Sequence, residues 1–221
     1  MTIPGAFLGG KLVDENGRPP LTARFTVVTE GNFLGQRGFV RVQGDHMFRP
    51  DGTFASPPLL PGKYFLRFFG MLQDGPASGG DKAERQRRVF DFIYPNADTV
   101  SEAVPFDLRA GETMGSVFDV PEPAWFKIAG RVKGSLPVEN RNHISILFQR
   151  NMGILPDVGG LGFPVKIDGS FEGMLLRGSY VASLHEMTDP EPDGYTRSLR
   201  QFGSTVLIVE RDTLNLELPL E

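Results

Sequence analysis

The stretch from Asp51 to Phe69 reads DGTFASPPLLPGKYFLRFF and contains two turn signals, each followed by an extended run. Asp51-Gly52 is typical of a tight turn, because glycine adopts positive φ freely and an aspartate side chain hydrogen-bonds the backbone two residues on. Pro61-Gly62 is the second turn signal. The stretch therefore predicts two short strands joined by a turn.

The same pattern returns between Asp168 and Leu184, where the sequence reads DGSFEGMLLRGSYVASL. In both copies Asp-Gly opens a short extended run, and a glycine stands two residues before a tyrosine. These pairs are Gly62 with Tyr64 in the first copy and Gly178 with Tyr180 in the second. The repeat predicts two domains of the same kind.

The boundary between the two domains is predicted at Pro121-Glu122-Pro123, since two prolines in three residues form a short, semi-rigid connector. The first domain is then 1–121 and the second 122–221. Residues 71–100 have no full counterpart in the second half. We therefore predict that they form an insertion in the first domain.

Apolar and polar side chains alternate with a period of two in both halves, which is the pattern of half-buried strands. It is clearest from Ala23 to Thr29 and from Phe126 to Val132. Turn signals recur about every 8–12 residues, as they do in β-sandwiches. The sequence thus predicts an all-β fold of two tandem seven-stranded Greek-key β-sandwich domains.

The strand that follows Gly62 is apolar on both of its faces. Phe65 and Phe69 lie opposite the face that carries Tyr64 and Phe68. A strand of this kind is usually covered on both sides. We expect the inserted segment to pack over Phe65 and Phe69, with a neighbouring subunit as the alternative cover.

Composition excludes several classes of function. The chain has 221 residues, a net charge of −4 at pH 7 and no cysteine, so disulfides and thiolate metal sites are excluded. The acidic balance gives no electrostatic footprint for nucleic acid. No run of about 18 apolar residues occurs, so we predict no membrane insertion.

The N-terminal residues, MTIPGAFLGGKLVD, lack the basic region and the long apolar core of a signal peptide. Two alternatives stay open from these residues. The chain is either a cytoplasmic protein or the mature part of an exported one.

No catalytic constellation stands out in the sequence. His46, His143 and His185 belong to no zinc motif, and the Asp-Gly turns lack the ligand ladder of a calcium loop. Ser183 is close to His185 in sequence but lies in a predicted strand rather than at a nucleophile elbow. We predict that the protein is not an enzyme and binds neither a cofactor nor a metal.

Residues 10–28 (GKLVDENGRPPLTARFTVV), PDGTF at 50–54 and LLPGKYFLRF at 59–68 resemble the carboxypeptidase regulatory-like domain. That domain is a transthyretin-like or prealbumin-like sandwich with an immunoglobulin-like architecture. Residues 94–132 are similar to junctions in tandem arrays of such domains in bacterial cell-surface and outer-membrane proteins. The second copy carries the pattern in a degraded form, with Leu176-Arg177-Gly178 at the tight turn.

The resemblance implies an extracellular or cell-envelope accessory module that has no catalytic residue of its own. Its expected function is structural or protein-interacting, as a surface stalk, a fibre subunit or an accessory region of a receptor. We expect protein partners or self-association, through strand addition or through the insertion. The alternative is a carbohydrate- or peptide-binding module that uses the loops at the sandwich ends, since related sandwiches share the fold of carbohydrate-binding domains.

A candidate interaction surface follows from the aromatic residues outside the expected core and from the most basic run of the chain. We assign to it Phe65, Phe69, Arg85, Arg87, Arg88, Phe90, Phe92, Tyr94 and Trp125. Intermolecular contacts of these side chains would favour assembly. A concave groove lined by Tyr94, Trp125 and Tyr195 would favour a glycan or peptide ligand.

Overall fold

The computed structural model describes residues 4–42, 45–72, 89–134, 144–155, 160–188 and 198–219. The described residues form strands and one single-turn 3-10 helix, Val100–Glu102, and contain no α-helix. The strands in chain order are β1 (Phe7–Val13), β2 (Thr22–Phe33), β3 (Gln36–Arg41), β4 (His46–Met47), β5 (Thr53–Ala55), β6 (Gly62–Met71), β7 (Val89–Ile93), β8 (Phe106–Leu108), β9 (Thr113–Asp119), β10 (Trp125–Lys133), β11 (Ile144–Arg150), β12 (Ile154–Leu155), β13 (Leu161–Pro164), β14 (Ser170–Leu176), β15 (Gly178–Met187), β16 (Ser198–Val209) and β17 (Thr213–Pro219). The predicted all-β sandwich fold is confirmed.

The chain forms two compact units. The first comprises Met1–Pro123 together with Met152–Pro156, and the second comprises Ala124–Asn151 and Asp157–Glu221. The short run that begins at Met152 belongs to the first unit because β12 pairs in parallel with β3. The sequence-based division assigned this run to the second half.

Two sheets form the sandwich of the first unit. The smaller has the order β5-β1-β9, and β1 runs antiparallel to β5 and parallel to β9. The larger has the order β12-β3-β2-β6-β7, with β4 paired to β2 and β8 paired to β6. Aromatic rings from both sheets meet between them, with Phe54 and Phe68 at 5.6 Å and Phe68 and Phe118 at 5.2 Å between ring centroids. This aromatic core explains why the strands of the first unit are rich in phenylalanine.

The outer face of the larger sheet carries a second apolar cluster around Phe65. Residues of the segment 71–100 contribute to it, and so does the strand β12. Its members are Val28, Phe65, Ile93, Ala97, Val100, Met152 and Ile154. The expectation that the inserted segment covers Phe65 is confirmed by the part of that segment that the structure describes. Residues 73–88 lie outside the described residues.

The second unit is a smaller sandwich of three and four strands. The orders of its sheets are β14-β10-β17 and β13-β11-β15-β16. The central strand β10 runs antiparallel to β14 and parallel to β17, as β1 does between β5 and β9. Its core consists of side chains from both sheets, among them Ile128, Phe148, Phe163, Phe171, Tyr180 and Val209.

The two Asp-Gly turns have the same geometry. A carboxylate oxygen of Asp51 accepts from the amide of Thr53 at 3.0 Å, and one of Asp168 accepts from the amide of Ser170 at 3.0 Å. The hydroxyls of Thr53 and Ser170 donate to the same oxygens and are the main reason that the pKa of each aspartate lies below its usual range. The glycines that follow have φ of +81° and +82°, which is why only glycine fits there readily.

Candidate interaction surface

Three of the aromatic residues assigned to an interaction surface are buried instead. Phe90 and Phe92 pack into the aromatic core of the first unit, and Phe65 is 9% exposed within the second apolar cluster. The assignment was wrong for these residues because β6 and β7 belong to a sheet that is covered on both faces. An apolar outer face then indicates a second core layer rather than a binding surface.

Phe69 and Tyr94 are half-buried in the first unit. The guanidinium of Arg67 lies 5.2 Å from the centroid of the Phe69 ring, and it also forms a bidentate ion pair with Asp91 at 2.8 and 2.9 Å. The Tyr94 ring packs 5.3 Å from Phe106, at the margin of the core. Phe69 and Tyr94 therefore serve packing in the first unit.

Trp125 opens β10 in the second unit, where it is half-buried and pairs with Leu176 of β14. Tyr94 belongs to the other unit. The remaining members of the predicted surface and groove, Arg85, Arg87, Arg88 and Tyr195, lie outside the described residues.

An apolar surface that was not predicted lies on β16 of the second unit. Leu207 and Val209 point into the core, whereas Val206 and Ile208 are 70% and 66% exposed on the opposite face. The sequence signal was present, because Val206 to Val209 is a run of four apolar residues. Alternating side chains along a strand place half of such a run on the outer face of the sheet.

The neighbouring strand β15 carries a buried polar group on this outer face. Ser183 Oγ lies 2.7 Å from Nε2 of His185, and Ser198 Oγ lies 2.7 Å from Nδ1 of the same ring. Burial lowers the pKa of His185, so its ring is neutral at pH 7. Ser183 is buried and its hydroxyl also lies 3.4 Å from the carbonyl oxygen of Leu147. The hydroxyls of Ser183 and Ser198 and the imidazole of His185 therefore satisfy one another within the sheet.

A groove of about 340 Å³ lies on the outer face of the smaller sheet of the second unit. The pairing of β10 with β17 shifts by one residue between Ile128 and Gly130, and such a bulge bends the strand and redirects its side chains. The groove contains two cations, two anions, an amide and an apolar side chain, namely Arg131, Lys166, Glu172, Glu217, Asn215 and Leu214.

The charged groups of this sheet are arranged as neighbouring ion pairs. Lys166 Nζ lies 3.2 Å from Glu172, and Arg131 lies 3.3 Å from Asp168. All four side chains are exposed. Exposed pairs of this kind contribute at most about 1 kcal/mol each, so their charged groups remain available to a polar ligand.

The described residues contain no group of three or more histidine, aspartate or glutamate side chains that would hold a metal ion. Within the same part of the chain, no helix has the length and hydrophobicity needed to cross a membrane.

No protein-family model matches the chain, and no curated protein matches it. Similar solved structures include the minor pilin of Streptococcus agalactiae, at 12% identity over 97% of this chain and 94% of that chain with a TM-score of 0.37. A streptococcal ancillary pilin is similar at 13% identity over 97% of this chain and 62% of that chain, with a TM-score of 0.35.

The TIE protein of Bacillus anthracis is similar at 10% identity over 98% of this chain and 33% of that chain, with a TM-score of 0.29. The chain therefore spans about a third of the length of the TIE protein. Because these TM-scores are low, the assignment of the fold is based on the strands and sheets of this chain alone. The resemblance to carboxypeptidase regulatory-like domains stays a prediction.

Proposed function

We propose that the protein is a non-catalytic structural or protein-interaction module of an extracellular or cell-envelope assembly. The observation that carries this proposal is the exposed pair Val206 and Ile208 on β16, a long strand with one free edge among the described strands. Paired β-branched side chains on a free edge favour contact with another β-structure.

The construction of the two units supports the same function. Each unit has an apolar core of its own, so each is a domain in the sense that it buries its own hydrophobic surface. We propose 1–121 and 122–221 as the two domains, with the strand β12 added to the first. Tandem sandwiches of this kind suit a stalk, a fibre subunit or an accessory region of a receptor.

The cellular location of the protein is the most direct test of this proposal. Intact cells of the source organism are treated with a protease that does not cross the envelope, and the protein is followed with an antibody. We expect the protein to be digested in intact cells while a cytoplasmic marker is preserved. Digestion only after lysis would contradict a location in an extracellular or cell-envelope assembly.

A glycan-binding module is the second candidate, and the groove at the β10–β17 bulge favours it. Arg131 and Lys166 supply donors, Glu172 and Glu217 supply acceptors, and Leu214 supplies apolar surface. A neutral sugar ring binds through its hydroxyls, which need hydrogen-bond donors and acceptors, and through its apolar face, which needs an apolar surface. This groove lies on a sheet face rather than at the sandwich-end loops, where a ligand site is predicted from the sequence.

Titration of neutral oligosaccharides by calorimetry tests the second candidate. Removing a hydrogen bond to a charged group costs about 1.5–3 kcal/mol, which corresponds to about tenfold or more in affinity. Glu217→Ala should therefore weaken binding by about tenfold. Glu210→Ala, which changes an exposed carboxylate outside the groove lining, is the matched control. Equal loss of binding in both variants would contradict a ligand site in this groove.

A further inference from the structure

β16 is the longest of the edge strands that the structure describes. β16 has 12 residues, Ser198–Val209, without a proline. β13 has four residues that end in Pro164, and β17 ends in Pro219. β5 and β12 have only three and two residues, and β7, β9 and β14 have five, seven and seven. Short strands and prolines are the usual protection of a sheet edge, so β16 offers the longest stretch of unprotected edge among them.

The side chains of β16 add to this exposure. Natural edge strands commonly carry lysine or an inward-facing charge that prevents pairing with another chain. From Gly203 to Val209 the sequence GSTVLIV contains no charged residue. Only β15 pairs with β16 among the described strands, so a further strand would add at the other edge.

The sequence of β16 is complementary to itself in one antiparallel register. When a second copy is placed with Leu207 opposite Leu207 of the partner copy, Val206 faces Ile208 of the partner copy. The two-fold axis generates this contact twice, as in every isologous dimer. Because β16 ends at Val209, the paired stretch runs from Thr205 to Val209, and it contains no charged residue. Cross-strand pairs of β-branched side chains stabilise antiparallel pairing.

We propose that β16 is a docking edge for β16 of a second copy of this chain, in the register that centres on Leu207. The pairing joins two four-stranded sheets into one continuous eight-stranded sheet and places Val206 and Ile208 of each copy in contact with Ile208 and Val206 of the other. This inference rests on the proposed interaction function and names its partner and surface.

The oligomeric state of the purified full chain tests the pairing. We expect light scattering to show a monomer–dimer equilibrium that shifts with concentration, and Val206→Lys to weaken the dimer at least about tenfold, because it places a charged group against the apolar Ile208 of the partner copy at both symmetric contacts. Ile167→Lys is the matched control, because Ile167 is 67% exposed in the same unit but lies outside the strands. The Ile167→Lys variant should dimerise to the same extent as the unmodified chain.

Three outcomes would overturn the inference: a monomer at every concentration, a dimer that Val206→Lys leaves unchanged, or equal loss of the dimer in Val206→Lys and Ile167→Lys. Circular dichroism melting curves of both variants establish that each is folded. These outcomes concern the purified protein and are separate from the protease experiment on intact cells. A surface-exposed monomer would therefore refute this pairing while leaving the proposed function intact.

Engineered cysteines test the register, since the chain has no cysteine of its own. A mixture of Val206→Cys and Ile208→Cys copies should form a covalent dimer on mild oxidation, because directly opposed residues satisfy disulfide geometry. Val206→Cys alone should form much less of it. Equally fast cross-linking of Val206→Cys alone would overturn the register.

Discussion

The hydroxyl of Tyr180 donates a hydrogen bond to the carbonyl oxygen of Leu176, four residues upstream, at 2.8 Å. Tyr64 makes the same bond to Leu60 at 2.7 Å in the first unit. Each tyrosine is buried and fixes the turn that precedes its strand, in the manner of a tyrosine corner. The glycine–tyrosine signature of the sequence is therefore explained by one interaction that both units share.

Tyr180→Phe should destabilise the second unit by about 1–3 kcal/mol, because it leaves a buried carbonyl oxygen without this donor. Trp125, the single tryptophan of the chain, lies in the second unit, so its fluorescence during urea unfolding reports on this unit. Phe163→Tyr is the control, because it adds a hydroxyl to another buried ring of this unit while the hydrogen bond between Tyr180 and Leu176 is kept. It measures the cost of altering one hydroxyl on a buried ring. An unfolding midpoint for Tyr180→Phe equal to that of the unmodified chain would contradict the assigned role.

The repeated block allowed the strands and turns around it to be predicted from the sequence. Tyr64 and Tyr180 follow glycines at the same spacing, and Asp51 and Asp168 open turns with the same hydrogen bonds. These features are local, since each interaction joins residues within about four positions of one another. Local patterns of this kind fix element type without knowledge of the distant chain.

Gly130 of β10 lies against the backbone of β17. A Cβ atom at this position would lie 2.0 Å from the carbonyl oxygen of Leu216, so the strands would have to separate. Overpacking of this kind costs about 1–3 kcal/mol, and we expect Gly130→Ala to lose at least this much stability in urea unfolding followed by Trp125 fluorescence.

Gly162→Ala is the matched control for Gly130→Ala. Gly162 is also a strand residue of the second unit, but its added Cβ would meet nothing within 4 Å. It should leave the stability unchanged or raise it slightly, since alanine reduces the entropy of the unfolded chain. Equal destabilisation by the two substitutions would show that contact with Leu216 is not the cause.

The cover of Phe65 was only partly predictable from the sequence. The alternation around Phe65 indicated that both faces of β6 are covered, and the segment 71–100 was the nearest candidate. The strand β12 was not predicted as part of this cover, because a pairing of two residues leaves no periodic pattern. A contact between Ile154 and a cluster built mainly from residues 28–100 is a long-range property. The exposed face of β16 was not predicted for a related reason. A run of apolar residues indicates a strand, but it does not indicate whether another segment packs on the outer face of that strand.

Ile154→Ala should destabilise the first unit by about 2–5 kcal/mol, as is typical of removing a buried isoleucine side chain. Ile154 is almost fully buried in the cluster with Phe65 and Val28. Hydrogen exchange resolves the effect, with faster exchange expected along β3 and β6. Leu155→Ala, on the more exposed residue of the same strand, should have a smaller effect. Faster exchange confined to the second unit would contradict the assignment of β12 to the first.

His185 should make the stability of the second unit depend on pH. Burial lowers its pKa from the ordinary value of 6.5, so the unfolded chain binds a proton more readily than the folded one. This contribution to stability is fully present above pH 6.5 and is lost as the pH falls from 6.5 towards the lower folded value. The aspartates with lowered pKa values contribute only at more acidic pH, because their ordinary value is 3.8.

Urea unfolding followed by Trp125 fluorescence at pH 7.5, about 6.5 and about 5.5, values that bracket the ordinary histidine pKa, tests this dependence. We expect the free energy of unfolding to fall over this range. His185→Gln keeps polar atoms near Ser183 and Ser198 but cannot be protonated, so its stability should change less with pH. His46→Gln is the control in the first unit and should retain the dependence. If the unmodified chain and His185→Gln have the same pH profile, protonation of another group must be responsible.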